Sequence, residues 1–176
     1  EGLVIEHFAE VTGKVVEKID KTLVHPEYDF MIAHLDGYIP EEDAIVEAKT
    51  GGEYAMSEWD DGIPLEYLLQ GQHYLAVTGC SKVYYPVLIG GNKFFIREML
   101  PDEELIEMII EGEKKFWEHI EKKTPPEMDS SKDSETLLKM LYPESREGAV
   151  VELPALENIA EQLVTIQKQI KELEKM

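Results

Sequence analysis

Several things are scarce in this chain, and each scarcity removes a class of explanation. A single cysteine, Cys80, in 176 residues rules out an internal disulfide framework; beside an apolar run it reads as a small core residue in a reducing compartment. The five histidines, His7, His25, His34, His73 and His119, fit no His-Glu-x-x-His or cysteine/histidine spacing, so none reads as a zinc ligand. No apolar run approaches the roughly 18 residues of a membrane-spanning helix, and the default reading is a cytoplasmic protein. Basic residues are few, 17 against 37 acidic ones for a formal charge of −20. Residues 1–100 hold 7 basic and 18 acidic side chains and residues 101–176 hold 10 and 19, with no basic stripe. That balance opposes binding to a phosphate backbone, unless divalent ions invert the potential locally or a channel is lined by lysines such as Lys14, Lys18, Lys21, Lys82 and Lys93.

What is present is a carboxylate, Asp36, at the end of the apolar segment FMIAHLDGYI, and a second segment, AIVEAKT, carrying Glu47 and Lys49. Side chains two apart on a strand share a face, so Glu47 and Lys49 project together. The turn-rich stretch GYIPEED between the segments folds the chain back so that Asp36 comes beside Glu47, a hairpin with its acids at one end. Two carboxylates and a free backbone carbonyl, that of Ala48, suit a hard cation such as Mg²⁺, for which Mn²⁺ substitutes. A lysine beside such an ion steadies a phosphate oxygen or activates water, which points to phosphodiester hydrolysis. A surface ion pair on a strand is the plain alternative. Glu113-Lys114-Lys115 and Glu121-Lys122-Lys123 also fit Glu-x-Lys, but in a helical run that reads as a solvated face. His34, two residues before Asp36, could share its face; His73 lies on the helix described next.

PLEYLLQGQHYLAVTG, from Pro64 to Gly79, opens with proline, closes with glycine and reads as a helix. Gln70 and Tyr74 lie four apart on one of its faces. With Glu6 in the first helical segment, the order is Glu, Asp, Glu-x-Lys, Gln-x-x-x-Tyr. This ordered set resembles the PD-(D/E)xK nuclease superfamily, and within it the YqaJ-type viral recombinases that include lambda exonuclease. The resemblance runs from Gly2 to about Trp117, taking in Gly2-x-x-x-Glu6, Thr12-Gly13, FMIAHLDGYI, IVEAKT, IPLEYLLQGQHYLAVTG, YYPVLIGG and EKKFW.

The resemblance implies that Asp36, Glu47 and the Ala48 carbonyl hold the metal and that Lys49 positions or activates water. It makes Glu6 an accessory acid at a second metal or at the lysine, and Gln70 a residue that orients the phosphate or the lysine. Tyr74 joins Gln70 in touching substrate. It further implies a phage or prophage exonuclease in a bacterial host that digests linear double-stranded DNA from its ends, 5′ to 3′. The exposed single strand would pass to an annealing protein, and the assembly would be a homo-oligomer, a trimeric ring around DNA. Structure-specific endonuclease action by the same site is one alternative, and a catalytically inactive oligomeric adaptor another. Family members carry a Gly-Gly-Ser-Asp-like turn ahead of this region, whereas this chain begins at Glu1, so it reads as a fragment.

The expected fold is α/β: a restriction-endonuclease-like core, with a central mixed sheet flanked by helices and a C-terminal helical extension. Helices are predicted over 2–12, 64–78 and 102–122, and strands near 14–19, 28–36, 44–49, 82–90 and 93–98, the last two joined by a Gly90-Gly91-Asn92 hairpin turn. Residues 50–62 (TGGEYAMSEWDDG, from residue 50) read as a long mobile loop, in which Trp59 either packs on the neighbouring helix or stacks on a frayed base of the substrate. Trp117 reads as core. The core ends at residue 123; residues 124–154 form a linker with a short helix and the apolar GAVVELP; residues 155–176 form an amphipathic helix. There Leu156, Ile159, Leu163, Ile166, Ile170 and Leu173 step by three and four, a heptad seam that either self-associates or packs on its own domain.

Overall fold

The structure, a computed structural model, describes residues 1–143 and 157–173, in two units, Glu1–Pro126 and Glu127–Met176. In the first unit, α1 (Gly2–Thr12) buries Val4 and Phe8, one turn apart, and stops where Gly13 takes the left-handed conformation at φ 71° and returns its N–H to Ala9. Two short strands, β1 (Leu23–Val24) and β2 (Ile32–Ala33), pair antiparallel by themselves. The main sheet holds β3 (Gly37–Ile39), β4 (Ala44–Val46), β5 (Lys49–Gly51), β6 (Lys82–Ile89) and β7 (Lys93–Met99). Helices α2 (Leu65–Thr78) and α3 (Glu103–Lys122) complete the unit.

The sheet is mixed: β3 and β7 are antiparallel to their neighbours, while β4 and β5 both run parallel to β6. β7 occupies one edge of β6, so β4 and β5 share the other. Their registers, Val46 with Tyr84 and Lys49 with Val87, are continuous, which makes them two halves of one strand. The interruption at Glu47-Ala48 lies opposite Tyr85-Pro86. Glu47 still donates its N–H to the Tyr84 carbonyl at 2.9 Å, but the next donor on that side of β6 would be Pro86, which has none.

β6 is buried on both faces, as a central parallel-type strand requires. Val83, Tyr85, Val87 and Ile89 pack with Ile45, Trp59, Leu75 and Met99 beneath α2, and Tyr84 packs with Phe8, Ile39, Ala44 and Val46 beneath α1. α2 lies close to the sheet because residue 71 is glycine; a Cβ there would stand 1.9 Å from the Tyr85 hydroxyl and 2.4 Å from Met99 Cε. Gln72, 2 % exposed, is a structural tie: its amide donates to the Leu100 carbonyl at 2.9 Å and its oxygen accepts from Asp102 N–H at 2.9 Å. Asp102 in turn caps α3 by accepting from Leu105 N–H.

Several expectations are corrected. Residues 14–19 form no strand; a single bridge, Glu17 to Tyr38, joins them to β3. The strand foreseen over 28–36 is reduced to β2, Ile32–Ala33; ahead of it the His25 ring nitrogen accepts from the N–H groups of Glu27 and Tyr28 and winds the chain into a turn. The expected loop over 50–62 is mostly ordered: β5 reaches Gly51, and a 3₁₀ helix spans Glu53–Trp59. Trp117 is only half-buried, stacked on Phe30 at 5.3 Å, since α3 lies on the surface.

In the second unit, α4 (Lys132–Leu141) begins at Ser131, whose hydroxyl accepts from Ser134 N–H, and α5 spans Glu157–Leu173. Ile159, Leu163, Ile166, Ile170 and Leu173 are all exposed. Leu156 and the GAVVELP stretch lie outside the described residues.

Candidate active site

The hairpin β3–β4 sets the site. Its register, Gly37 opposite Val46, carries the chain outward to Asp36 on one strand and Glu47 on the other. β3 ends there, so the edge of Ala48 facing away from β6 has no strand partner. Its N–H donates to Asp36 Oδ2 at 2.9 Å instead, and in an extended strand its carbonyl shares that edge. Two residues on from Glu47, Lys49 reaches back over the face that Glu47 occupies. Its Nζ donates to Glu47 Oε1 at 2.9 Å and to Gln70 Oε1 at 2.7 Å. The Gln70 amide donates to the same Glu47 oxygen at 2.8 Å and lies 3.3 Å from the Tyr74 hydroxyl. The structure therefore brings Asp36, Glu47, Ala48, Lys49, Gln70 and Tyr74 together from three elements.

Burial governs the electrostatics. Glu47 is 5 % exposed; desolvation pushes its carboxyl above the usual range, the Lys49 hydrogen bond pulls it back, and the Asp36 charge pushes it further up. Burial likewise raises Asp36, against the Ala48 N–H that favours its ionised form. Tyr74 is held in its neutral form, chiefly by burial. Glu47 Oε1 receives both the lysine and the glutamine, whereas Glu47 Oε2 is buried with no hydrogen-bond partner. A buried carboxylate oxygen left without a donor is costly, and beside Asp36 and the Ala48 carbonyl it suits a hard divalent cation. Among the described residues no three histidine, cysteine, aspartate or glutamate side chains converge on one point. Two carboxylates and one carbonyl are the donors on hand, and a hard ion held by them would keep several of its waters.

Glu6 is not drawn into this group. It is exposed on α1 and lines a cleft of about 340 Å³ with Val16, Lys18, Ile19, Leu35 and Asp36, so it faces the approach to Asp36. Of the two readings of Trp59 the packed one holds and the substrate-stacking one is corrected: at 2 % exposure it is a core side chain, stacked on Tyr67 of α2 at 5.6 Å and edge-on to Phe95 at 5.7 Å, and it offers no face to a base. His34 is exposed and bonded to Thr22 Oγ1 at 2.8 Å. His73 ties α2 to Glu113 of α3 at 2.7 Å and to the Ile32 carbonyl at 2.9 Å. Of the lysines considered as a channel lining, Lys14 and Lys82 are paired with Glu42, and Lys18 with Asp20.

Sequence reasoning missed Tyr67. The Lys49 ammonium lies 4.5 Å from the centre of its ring. The signal was available, since Tyr67, Gln70 and Tyr74 are spaced three and four apart and share one helical face.

Residues 1–81 match the model of the YqaJ-like viral recombinase domain. The chain is 40% identical over 186 aligned residues to the uncharacterized protein YqaJ of Bacillus subtilis (strain 168), covering 99% of this chain and 58% of that protein's length. Among solved structures it resembles an alkaline exonuclease, LHK-Exo, from Laribacter hongkongensis, with a TM-score of 0.62 and 18% identity over 81% of this chain and 70% of that one. It also resembles a phage-related exonuclease from Haemophilus somnus 129PT, with a TM-score of 0.51 and 15% identity over 62% of each. At these identities the two structures speak to the fold.

Proposed function

We propose that the chain is the nuclease core of a divalent-metal-dependent DNA exonuclease of the YqaJ-like viral recombinase family, whose domain model matches residues 1–81. The observation that carries the proposal is the partnerless, buried Glu47 Oε2 within a constellation whose other members are already hydrogen-bonded. Asp36, Glu47 and the Ala48 carbonyl would hold Mg²⁺ or Mn²⁺, which when bound neutralises phosphate charge and lowers the pKa of a bound water. The chain's own residues do the rest. Lys49 holds its ammonium at the site through Glu47 and Gln70, where it steadies a phosphate oxygen or orients the attacking water. Gln70 fixes the lysine and the Glu47 carboxylate together, and Tyr74 stands behind Gln70. Glu6, on the cleft wall, is the accessory acid.

The substrate in this reading is a double-stranded DNA end, degraded 5′ to 3′ in the bacterial cytoplasm to leave single strand for an annealing protein. DNA binding depends on the divalent ion, because the chain's own charge is −20, and falls steeply with salt. Self-association to a symmetric oligomer, a trimeric ring, completes the proposal; the exposed seam of α5 is a surface suited to a second copy.

The test is Mn²⁺- and Mg²⁺-dependent degradation of end-labelled linear duplex, with closed circular DNA and Lys49→Ala alongside. Loss of linear DNA from 5′ ends, abolished by the substitution, is the expected result. Cutting of circles would move the reading to a structure-specific endonuclease. Cleavage of neither substrate, with no divalent-ion binding at Glu47, would leave a nuclease-fold adaptor.

A further inference from the structure

We infer that Tyr67 is a positioning residue for Lys49, its ring face holding the ammonium in the place from which the lysine acts; the kinetic part of this inference rests on the nuclease reading above. Lysine is a poor choice for precise placement, since its stem has four rotatable bonds and its charge is a point with no preferred plane. Here the Nζ has three directions to fill. Two go to Glu47 Oε1 and Gln70 Oε1, at 2.9 and 2.7 Å. The third neighbour is the ring of Tyr67, whose centre lies 4.5 Å from Nζ, within the range at which a ring quadrupole attracts a cation.

The ring is itself held in place by neighbours. Tyr67 stacks on Trp59 with centroids 5.6 Å apart and planes 23° from parallel. Trp59 is enclosed by Phe95, edge-on at 5.7 Å, and by Tyr85 at 6.5 Å. The Tyr67 carbonyl accepts from the Tyr85 hydroxyl at 2.7 Å, which fastens the first turn of α2 to β6. The row Phe95, Trp59, Tyr67, Lys49 thus runs from the edge strand to the site. It gives the 3₁₀ segment Glu53–Trp59 a purpose beyond covering the sheet: it delivers the indole that backs the tyrosine. The ring, and not the hydroxyl, is the active feature, so phenylalanine should serve and an aliphatic side chain of similar bulk should not.

The experiment compares wild type, Tyr67→Phe and Tyr67→Leu, with thermal unfolding as a check that each folds; if Tyr67→Leu does not, Tyr67→Met, equally without a π face, takes its place. The first readout needs no catalysis. By NMR, the Lys49 methylene next to the ammonium, assigned against Lys49→Arg, should resonate upfield through the ring current in wild type and Tyr67→Phe and lose that shift in Tyr67→Leu. The second is Mn²⁺-dependent cleavage of linear duplex, where Tyr67→Leu should lower kcat about 2- to 30-fold with KM within about twofold, and Tyr67→Phe should restore it. An upfield shift absent from the wild type, a Tyr67→Leu protein with wild-type kcat, or a Tyr67→Phe protein as slow as Tyr67→Leu would each overturn the inference. A wild type that cleaves no DNA removes the nuclease reading and the kinetic role with it, while the ring-current shift still decides whether Tyr67 holds Lys49.

Discussion

Glu42 and Glu47 lie close in the chain, and each accepts from a lysine and from a second side chain, yet their surroundings are opposite in kind. Glu42 has both oxygens occupied: Oε1 by Lys14, and Oε2 by the Tyr84 hydroxyl at 2.7 Å and Lys82 at 3.4 Å. Those partners, Lys14 first and then Tyr84, hold its carboxyl down at about 2. Glu47 has two donors crowded on one oxygen and none on the other, and burial raises its carboxyl. Both clusters would be drawn as salt bridges. Only one has been left incomplete, and that incompleteness, together with burial, is what the proposed metal site rests on.

The strongest way to break this comparison is to remove a member from each cluster and assay cleavage. Lys49→Ala should lower Mn²⁺-dependent degradation of linear duplex by about 10²- to 10⁴-fold, whereas Glu42→Gln should leave it near wild type. Equal losses would show that the two clusters do not differ in role. A structural counterpart is Gly71→Ala. With a Cβ placed 1.9 Å from the Tyr85 hydroxyl and 2.4 Å from Met99 Cε, α2 must lift from the sheet, costing about 1–3 kcal/mol in denaturant unfolding and moving Gln70 off Glu47, so cleavage should fall too.

The two carboxylates also predict pH slopes of opposite sign. Glu47, raised in the fold, destabilises the metal-free protein increasingly as pH rises above its ordinary carboxylate value of 4.5. Glu47→Gln should therefore be more stable than wild type at neutral pH without metal. Added Mn²⁺ should raise the Tm of wild type but not of the variant, and lose that effect as pH falls and the acids protonate. Glu42, lowered in the fold, contributes stability that is complete above 4.5 and lost as pH falls toward about 2; Glu42→Gln should flatten only that acid limb. This is the smallest expected effect, because the Lys14 and Lys82 partners lie at the surface, where solvent screens them.

Much of the site could be read in the chain. The two-residue step from Glu47 to Lys49, the turn between Ile39 and Ala44 and the four-residue step from Gln70 to Tyr74 are local spacings, and local geometry translates them directly into shared faces. Gly13 and Gly79 ended their helices where expected, each at φ 71°. The misses share a cause. Whether Trp59 faces core or solvent depends on Tyr85 and Phe95, far away in the chain, and whether residues 14–19 extend the sheet depends on β3 having room for more than one bridge. Alternation of apolar residues is silent on both.

What the sequence by itself determined is the inventory and its order: two acids that a tight hairpin must bring together, a lysine sharing a face with one of them, and a helix presenting glutamine and tyrosine. Those follow from the period of two in strands and of 3.6 in helices. Only the tertiary structure decided which carboxylate oxygen would be satisfied, that Pro86 would interrupt the ladder beside Glu47, that Glu6 would stand apart on the cleft wall, and that Tyr67 would lie beneath Lys49. These are outcomes of competition for buried partners between segments distant in the chain. A buried group's free energy is set by whichever neighbours packing delivers, and spacing along the sequence does not carry that information.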